Sequence, residues 1–140
     1  MKSRNFGAWI ASMITLTLTI GCAVVPVVKA EVEGTLTYDG EPIQAGIVSF
    51  VPIEPAGSTP FGGAIQDGKY HIYPETGLQP GKYRVEIRWS KPTGEKVKDA
   101  GYGQSSDVYA EALPAKYHSE SNLTAQVIEG ANTIDFVLEK

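Results

Sequence analysis

The chain has 140 residues, of which 42% are hydrophobic and 20% charged, and its formal net charge at pH 7 is −4. This acidic balance argues against nucleic acid as a partner, because binding to phosphates needs cations that release counterions. The single cysteine, Cys22, rules out a disulfide within the chain, so a folded domain must rely on its hydrophobic core.

The first 22 residues have the layout of an export signal. Lys2 and Arg4 precede an uncharged run over residues 6–28, and Gly21 stands immediately before Cys22. A basic start, an apolar run and a small residue before a cysteine are typical of a lipoprotein signal. We therefore expect cleavage before Cys22 and attachment of a lipid to its thiol, which would place the protein on a membrane of the cell envelope.

Two other outcomes of this signal stay open. The residues Val28-Lys29-Ala30 have the small-x-small pattern of a conventional cleavage site, so the cut could follow Ala30 and release a periplasmic or secreted protein. The apolar run could also stay uncut as an anchor, because about 20 apolar residues span a bilayer. All three outcomes place the folded part outside the cytoplasm.

Residues 31–140 predict one all-β domain. Apolar and polar residues alternate most clearly from Lys82 to Trp89, which is the pattern of a strand with one buried face. The dipeptides Asp39-Gly40 and Asp67-Gly68 predict hairpin turns, and no segment keeps a helical period. Residues 45–51 are more uniformly apolar and predict a central strand covered on both faces. We expect a seven-stranded antiparallel β-sandwich, with strands near residues 32–38, 45–51, 62–66, 69–73, 82–89, 123–127 and 133–139.

Several motifs resemble those of a known family. They are Gly34-Thr35-Leu36, Asp39-Gly40-Glu41-Pro42, Ala45-Gly46, Asp67-Gly68-Lys69-Tyr70 and Pro80-Gly81-Lys82-Tyr83. Together they make residues 31–90 similar to carboxypeptidase regulatory-like domains, and the whole chain is similar to small predicted lipoproteins of planctomycete-type bacteria. The resemblance implies a prealbumin-like (transthyretin-like) or Ig-like sandwich with an accessory role and no reaction of its own.

Residues 91–116 predict a long mobile loop, because they are rich in charge and glycine and poor in apolar residues. Three tyrosines in or beside this loop, Tyr102, Tyr109 and Tyr117, are candidate ligand contacts. Aromatic rings of this kind can stack on a sugar or pack against a protein partner.

The sequence predicts no catalytic residue, no metal site and no cofactor. His71 and His118 are far apart in the chain, and each is expected to be solvated; no cysteine remains to complete a ligand set. No Gly-x-Ser-x-Gly elbow or calcium loop occurs. The favoured function is a non-catalytic envelope lipoprotein that contacts proteins or the cell wall; the alternative is a small carbohydrate-binding module that uses the loop tyrosines.

Overall fold

The structure is a computed structural model that describes residues 28–54, 59–98 and 105–140, and these ranges form an all-β domain. Cys22 and nearly all of the apolar run lie outside these residues. Within them, no helix is long and apolar enough to cross a membrane. The strands are β1 (Ala30–Tyr38), β2 (Glu41–Pro42), β3 (Ala45–Pro52), β4 (Phe61–Gln66), β5 (Lys69–Ile72), β6 (Gly81–Arg88), β7 (Ser90–Lys98), β8 (Ser105–Glu111), β9 (Thr124–Val127), β10 (Gly130–Thr133) and β11 (Phe136–Leu138), with 3-10 turns at Pro74–Thr76 and Ala115–Tyr117.

The main sheet has the strand order β10-β1-β5-β4-β3-β6-β9, and β2 and β11 pair with the second half of β1. Its neighbours are antiparallel except that β10 and β11 run parallel to β1, so the prediction of a wholly antiparallel arrangement is wrong for the last two strands. The sheet is curled. Only residues 128 and 129 separate β9 from β10, although these strands lie at opposite edges, so the two edges must come close together.

Asn132 holds this closure. Its amide nitrogen lies 3.0 Å from the carbonyl oxygen of Glu31 on β1, and 2.9 and 3.0 Å from those of Ile128 and Gly130. Its amide oxygen accepts the backbone N–H of Ile128 at 2.8 Å. One buried side chain therefore ties the connection after β9 to the first strand, and its polar atoms are satisfied.

The final segment, expected to be one strand over residues 133–139, is broken at Ile134 and Asp135 into β10 and β11. The break lies against Gly34 in the middle of β1. A Cβ atom on Gly34 would lie 1.9 Å from the carbonyl oxygen of Ile134, and the Ile134 N–H donates to Glu33 O at 2.8 Å. Only glycine permits this approach of the two backbones.

The core confirms the alternation in β6. Tyr83, Val85, Ile87 and Trp89 are all buried. Phe50 lies fully buried at the centre of the core. The centroid of its ring is 6.1–6.4 Å from the ring centroids of Tyr70, Tyr83 and Phe136.

The prediction for β3 is wrong in one respect. The strand is central in the sheet, but Ile47 is 56% exposed, so one of its faces meets solvent. The predicted turns are confirmed, because φ is 53° and 83° at Asp39 and Gly40, and 50° and 76° at Asp67 and Gly68. Positive φ at both central residues is the geometry of a two-residue hairpin turn.

Residues 91–116, expected to be a loop, contain most of a second sheet. β7 and β8 pair antiparallel from Ser90 opposite Glu111 to Lys98 opposite Ser105, with an irregularity between Pro92 and Lys96. All residues of β7 are exposed, and in β8 only Val108 is half-buried. We call this unit the β7–β8 hairpin; the residues that join its two strands, 99–104, are outside the described ranges.

The registers place the start of β1 and the hairpin at opposite ends of the domain. At one end lie Ala30, the start of β6 at Gly81, the end of β9 at Val127, and Gly130. β6 runs away from this end, and the hairpin begins at Ser90, two residues after β6 stops. We refer to these as the Ala30 end and the hairpin end.

Candidate functional site

An open groove with a volume of about 1010 Å³ lies on the outer face of β1, β5 and β4. It forms where outward side chains of the three strands lie side by side. In the register of the sheet, Glu33 is opposite His71, Thr35 is opposite Lys69, and Lys69 is in turn opposite Gln66. Such cross-strand neighbours are about 5 Å apart, so they form one continuous polar surface.

At the Ala30 end of the groove, His71 and Tyr73 project on the same side because they are two residues apart. Nε2 of His71 contacts the carboxylate of Glu31. The ring centroids of His71 and Tyr73 are 4.0 Å apart, and the angle between the two ring planes is 38°. Tyr73 is 57% exposed. The prediction that His71 is solvated is wrong in part, because its side chain is half-buried between the Glu31 carboxylate and the Tyr73 ring.

Asp135 marks the opposite wall of the groove. Its Oδ1 accepts the backbone N–H of Thr35 at 2.6 Å and the Thr35 hydroxyl at 2.8 Å. These two hydrogen bonds lower the pKa of the Asp135 carboxyl, so it is ionised at neutral pH.

Tyr70 lies beneath the groove and is 4% exposed. Burial raises the pKa of its phenol, and the negative charge of Asp135 raises it further. Its hydroxyl donates to Ile134 O at 2.7 Å, and the hydroxyl of Tyr83 donates to Gln79 O at the same distance. Both tyrosines are therefore buried with their hydroxyl groups hydrogen-bonded.

The three tyrosines predicted as ligand contacts have different surroundings. Tyr109 is 61% exposed on β8, opposite Pro92. Tyr117 is engaged in the fold: its ring meets Tyr38 edge-on at 6.4 Å, and its hydroxyl donates to Glu139 O at 2.7 Å and accepts the Glu139 N–H at 2.9 Å. Tyr102 lies outside the described residues. No ring contact joins Tyr109 to Tyr117 in the described part of the chain.

His118 differs from its prediction. The residue is half-buried, Nε2 is 3.2 Å from Leu113 O, and the buried Nδ1 has no hydrogen-bond partner among the described residues. Across the ranges that the structure describes, no group of three or more His, Cys, Asp or Glu side chains is arranged to hold a metal ion.

The sequence missed the groove because its walls come from distant segments. The spacing of His71 and Tyr73 was visible as a shared strand face, but nothing in the sequence shows that β5 pairs with β1. Strand order brings Glu33, Lys69 and Asp135 to one surface, and alternation of residues determines faces, not order.

Comparisons with known proteins give little further guidance. No family model matches the chain, and no curated protein matches it. Among solved structures, it is similar to a 9R-lipoxygenase from Cyanothece PCC8801 with a TM-score of 0.36 and 16% identity. The match covers 84% of this chain but 17% of the lipoxygenase chain, and a likeness this distant carries no conclusion about activity.

Proposed function

We propose that this is an exported, lipid-anchored envelope protein whose β-domain is a non-catalytic interaction module. The observation that carries the proposal is the exposed β7–β8 hairpin at the end of the domain opposite Ala30. A domain tethered at its Ala30 end would hold this hairpin away from the membrane, where other envelope components can reach it. Binding elements on a rigid β scaffold are a common arrangement.

The surroundings of Ala30 support cleavage before Cys22 rather than after Ala30. Ala30 is fully buried in β1, pairs with Gly130, and donates its N–H to Leu78 O at 2.9 Å. A cut after Ala30 would remove a core residue and the first pairing of β1 from the mature domain. A cut before Cys22 leaves β1 whole.

The proposed tether is short. Cys22 and Ala30 are eight residues apart, which is roughly 28 Å of fully extended chain at most. The nine residues of β7 span roughly 30 Å. The domain would therefore lie close to the lipid surface, and the hairpin would extend the reach of the protein by about the length of its own strand.

The two edges of the hairpin differ in how they suit a protein partner. β7 carries Pro92 and the lysines Lys91, Lys96 and Lys98, which oppose the addition of another strand. β8 has neither proline nor lysine, and no strand among the described residues pairs with its outer edge. The backbone N–H and C=O groups of that edge can therefore pair with an extended segment of a partner. Tyr109, exposed on β8, would supply an aromatic anchor beside that edge.

We also propose that the domain is a prealbumin-like sandwich of the carboxypeptidase regulatory-like kind. Support comes from the motif residues of the sequence: Asp39-Gly40 and Asp67-Gly68 occupy tight turns, and Tyr70 and Tyr83 are buried. Gly34 lies where two backbones meet, which gives the first motif a structural reason.

Lipid anchoring is tested with Cys22→Ser. We expect the variant to move from the membrane fraction to the soluble fraction and to lose incorporation of labelled fatty acid. Intact-mass analysis of the wild-type protein should give a mature chain that begins at Cys22 and carries lipid. Unchanged membrane association of Cys22→Ser would favour the uncut anchor, and a mature chain that begins at Glu31 would favour the conventional cut.

The interaction surface is tested with a photoreactive amino acid in place of Tyr109, in cells. The matched control carries it in place of Val137, which is 75% exposed on β11 of the main sheet. We expect a crosslinked protein adduct from position 109 only. Equal adducts from both positions, or none from position 109, would contradict a role for the hairpin in protein contacts.

A further inference from the structure

The groove on β1, β5 and β4 has the size and shape of a binding site. Small-molecule sites occupy about 300–1,000 Å³, and this groove, at about 1010 Å³, lies at the upper end of that range. It is open along its length, which suits a ligand of several linked units that enters from the side. None of its residues is used by the anchoring and presentation proposed above.

Tyr73 gives the groove a stacking surface. Its ring is 57% exposed, and the ring of His71 lies against it at 4.0 Å. The contact between His71 and the Glu31 carboxylate restricts the orientation of the imidazole. The imidazole packs against the tyrosine ring and so restricts the orientation of Tyr73. A ring held in this way can receive the apolar face of a ligand with little loss of side-chain entropy.

The polar groups of the groove select against a strongly charged ligand. Three carboxylates, those of Glu33, Asp67 and Asp135, repel anions, whereas Lys69 stands among them and opposes a polycation. Carboxylates only accept hydrogen bonds, an ammonium only donates them, and Gln66 does both. A ligand that matches this mixture has many groups that donate and accept, and little net charge.

We propose that this groove binds a neutral, hydroxyl-rich oligosaccharide, with one sugar ring stacked on Tyr73 and its hydroxyls bonded to Glu33, Gln66 and Lys69. A sugar ring combines an apolar face with hydroxyls around its edge, which is the combination that the groove offers. The site differs from the tyrosines of residues 91–116, and it does not depend on whether Cys22 carries a lipid.

The test uses the full chain in detergent micelles and three tetrasaccharides in calorimetric titration. The N-acetylglucosamine tetramer is neutral, the glucosamine tetramer has a related skeleton with positive charges, and tetragalacturonate is anionic. We expect the neutral tetramer to bind with the lowest Kd of the three. Tighter binding of either charged tetramer would overturn the proposed ligand class, and a failure of all three, together with cellotetraose and maltotetraose, would overturn the site.

Variants locate the binding. Tyr73→Ala should weaken the neutral ligand at least about tenfold, because it removes the stacking surface, and Glu33→Gln should weaken it about threefold by removing one acceptor charge. Ile128→Ala, which removes an equally exposed apolar side chain outside the groove, is the control and should leave the Kd unchanged. Tyr73 is largely exposed, so its variant should keep the wild-type melting temperature. Weakening by Ile128→Ala, or none by Tyr73→Ala, would contradict the assignment.

Discussion

The main sheet and the β7–β8 hairpin are both antiparallel β-structure for most of their length, yet they are stabilised in different ways. Every buried hydrophobic residue described lies outside β7 and β8, and the hairpin itself buries none. It depends on its backbone ladder and on cross-strand pairs such as Lys96 with Asp107, 3.8 Å apart and largely exposed. A lone two-stranded ribbon is marginally stable in water.

The difference indicates a division of roles between the two regions. Glu111 links them at the base of the hairpin, where its carboxylate accepts the N–H groups of Trp89 at 2.9 Å and Leu113 at 3.1 Å. The Ala112 N–H also donates to Trp89 O at 2.8 Å. The core therefore fixes where the hairpin starts, while its strands contribute little to the global free energy of unfolding and are free to bind.

The sharpest contrast compares one side chain from each region. Phe50→Ala should lower the free energy of unfolding by about 4 kcal/mol, because it empties the space between three aromatic rings at the centre of the core. Val97→Ala on β7, where the side chain is 59% exposed, should change it by less than about 0.5 kcal/mol. Urea unfolding followed by tryptophan fluorescence measures both. Similar losses in the two variants would mean that the hairpin is part of the cooperative core.

Gly34→Ala tests whether the stability of the main sheet depends on the close approach of β1 to the segment that carries Ile134. Gly34→Ala should cost about 3 kcal/mol, since its Cβ would overlap the Ile134 carbonyl and force two backbones apart. Gly81→Ala is the matched control at the start of β6, where the nearest atom to the new Cβ is a ring carbon of Tyr83 at 3.7 Å. Thermal unfolding followed by far-ultraviolet dichroism measures both variants. If Gly34→Ala were as stable as Gly81→Ala, the backbones at Gly34 and Ile134 would have to lie farther apart than they do in this structure.

The closure of the curled sheet is tested at Asn132. Asn132→Ala should lower the free energy of unfolding by about 2 kcal/mol, because buried backbone groups of Glu31 and Ile128 lose their partner. Asn122→Ala, at an exposed position, should have no measurable effect. Hydrogen exchange adds a local readout: amides of β9 and β10 should exchange faster in Asn132→Ala than those of β3. Equal acceleration of amide exchange in all strands of the sheet would contradict a local role of Asn132 at the closure.

The sequence predicts the main sheet better than the hairpin, for a physical reason. β6 shows its alternation because one of its faces is buried, and the Asp-Gly turns show themselves through the φ angles they need. β7 is exposed on both faces, so no alternation is imposed on Lys91, Lys96 and Lys98, and the segment has the composition of a loop. The groove was not predictable, because strand order depends on long-range pairing that no local pattern encodes.

Tyr70 gives the smallest of these effects and the most specific pH dependence. Burial raises the pKa of its phenol above the value of about 10 found in unfolded chains. The unfolded state therefore releases this proton first, so the stabilisation is complete below pH 10 and is lost as the pH rises from there toward the folded-state pKa, by at most about 1.4 kcal/mol per pH unit. At neutral pH, Tyr70→Phe should cost about 1 kcal/mol through loss of the hydrogen bond to Ile134 O.

Above pH 10 the free energies of unfolding of the wild-type protein and of Tyr70→Phe should converge, because the phenylalanine variant has no proton to release at this site. Tyr109→Phe on the exposed hairpin is the control, and its free energy of unfolding should follow the wild-type curve throughout. Urea titrations at pH 7, 10 and 11 measure all three proteins. A difference between wild type and Tyr70→Phe that stays constant with pH would mean that the Tyr70 hydroxyl reaches solvent, and that water enters the layer beneath the groove.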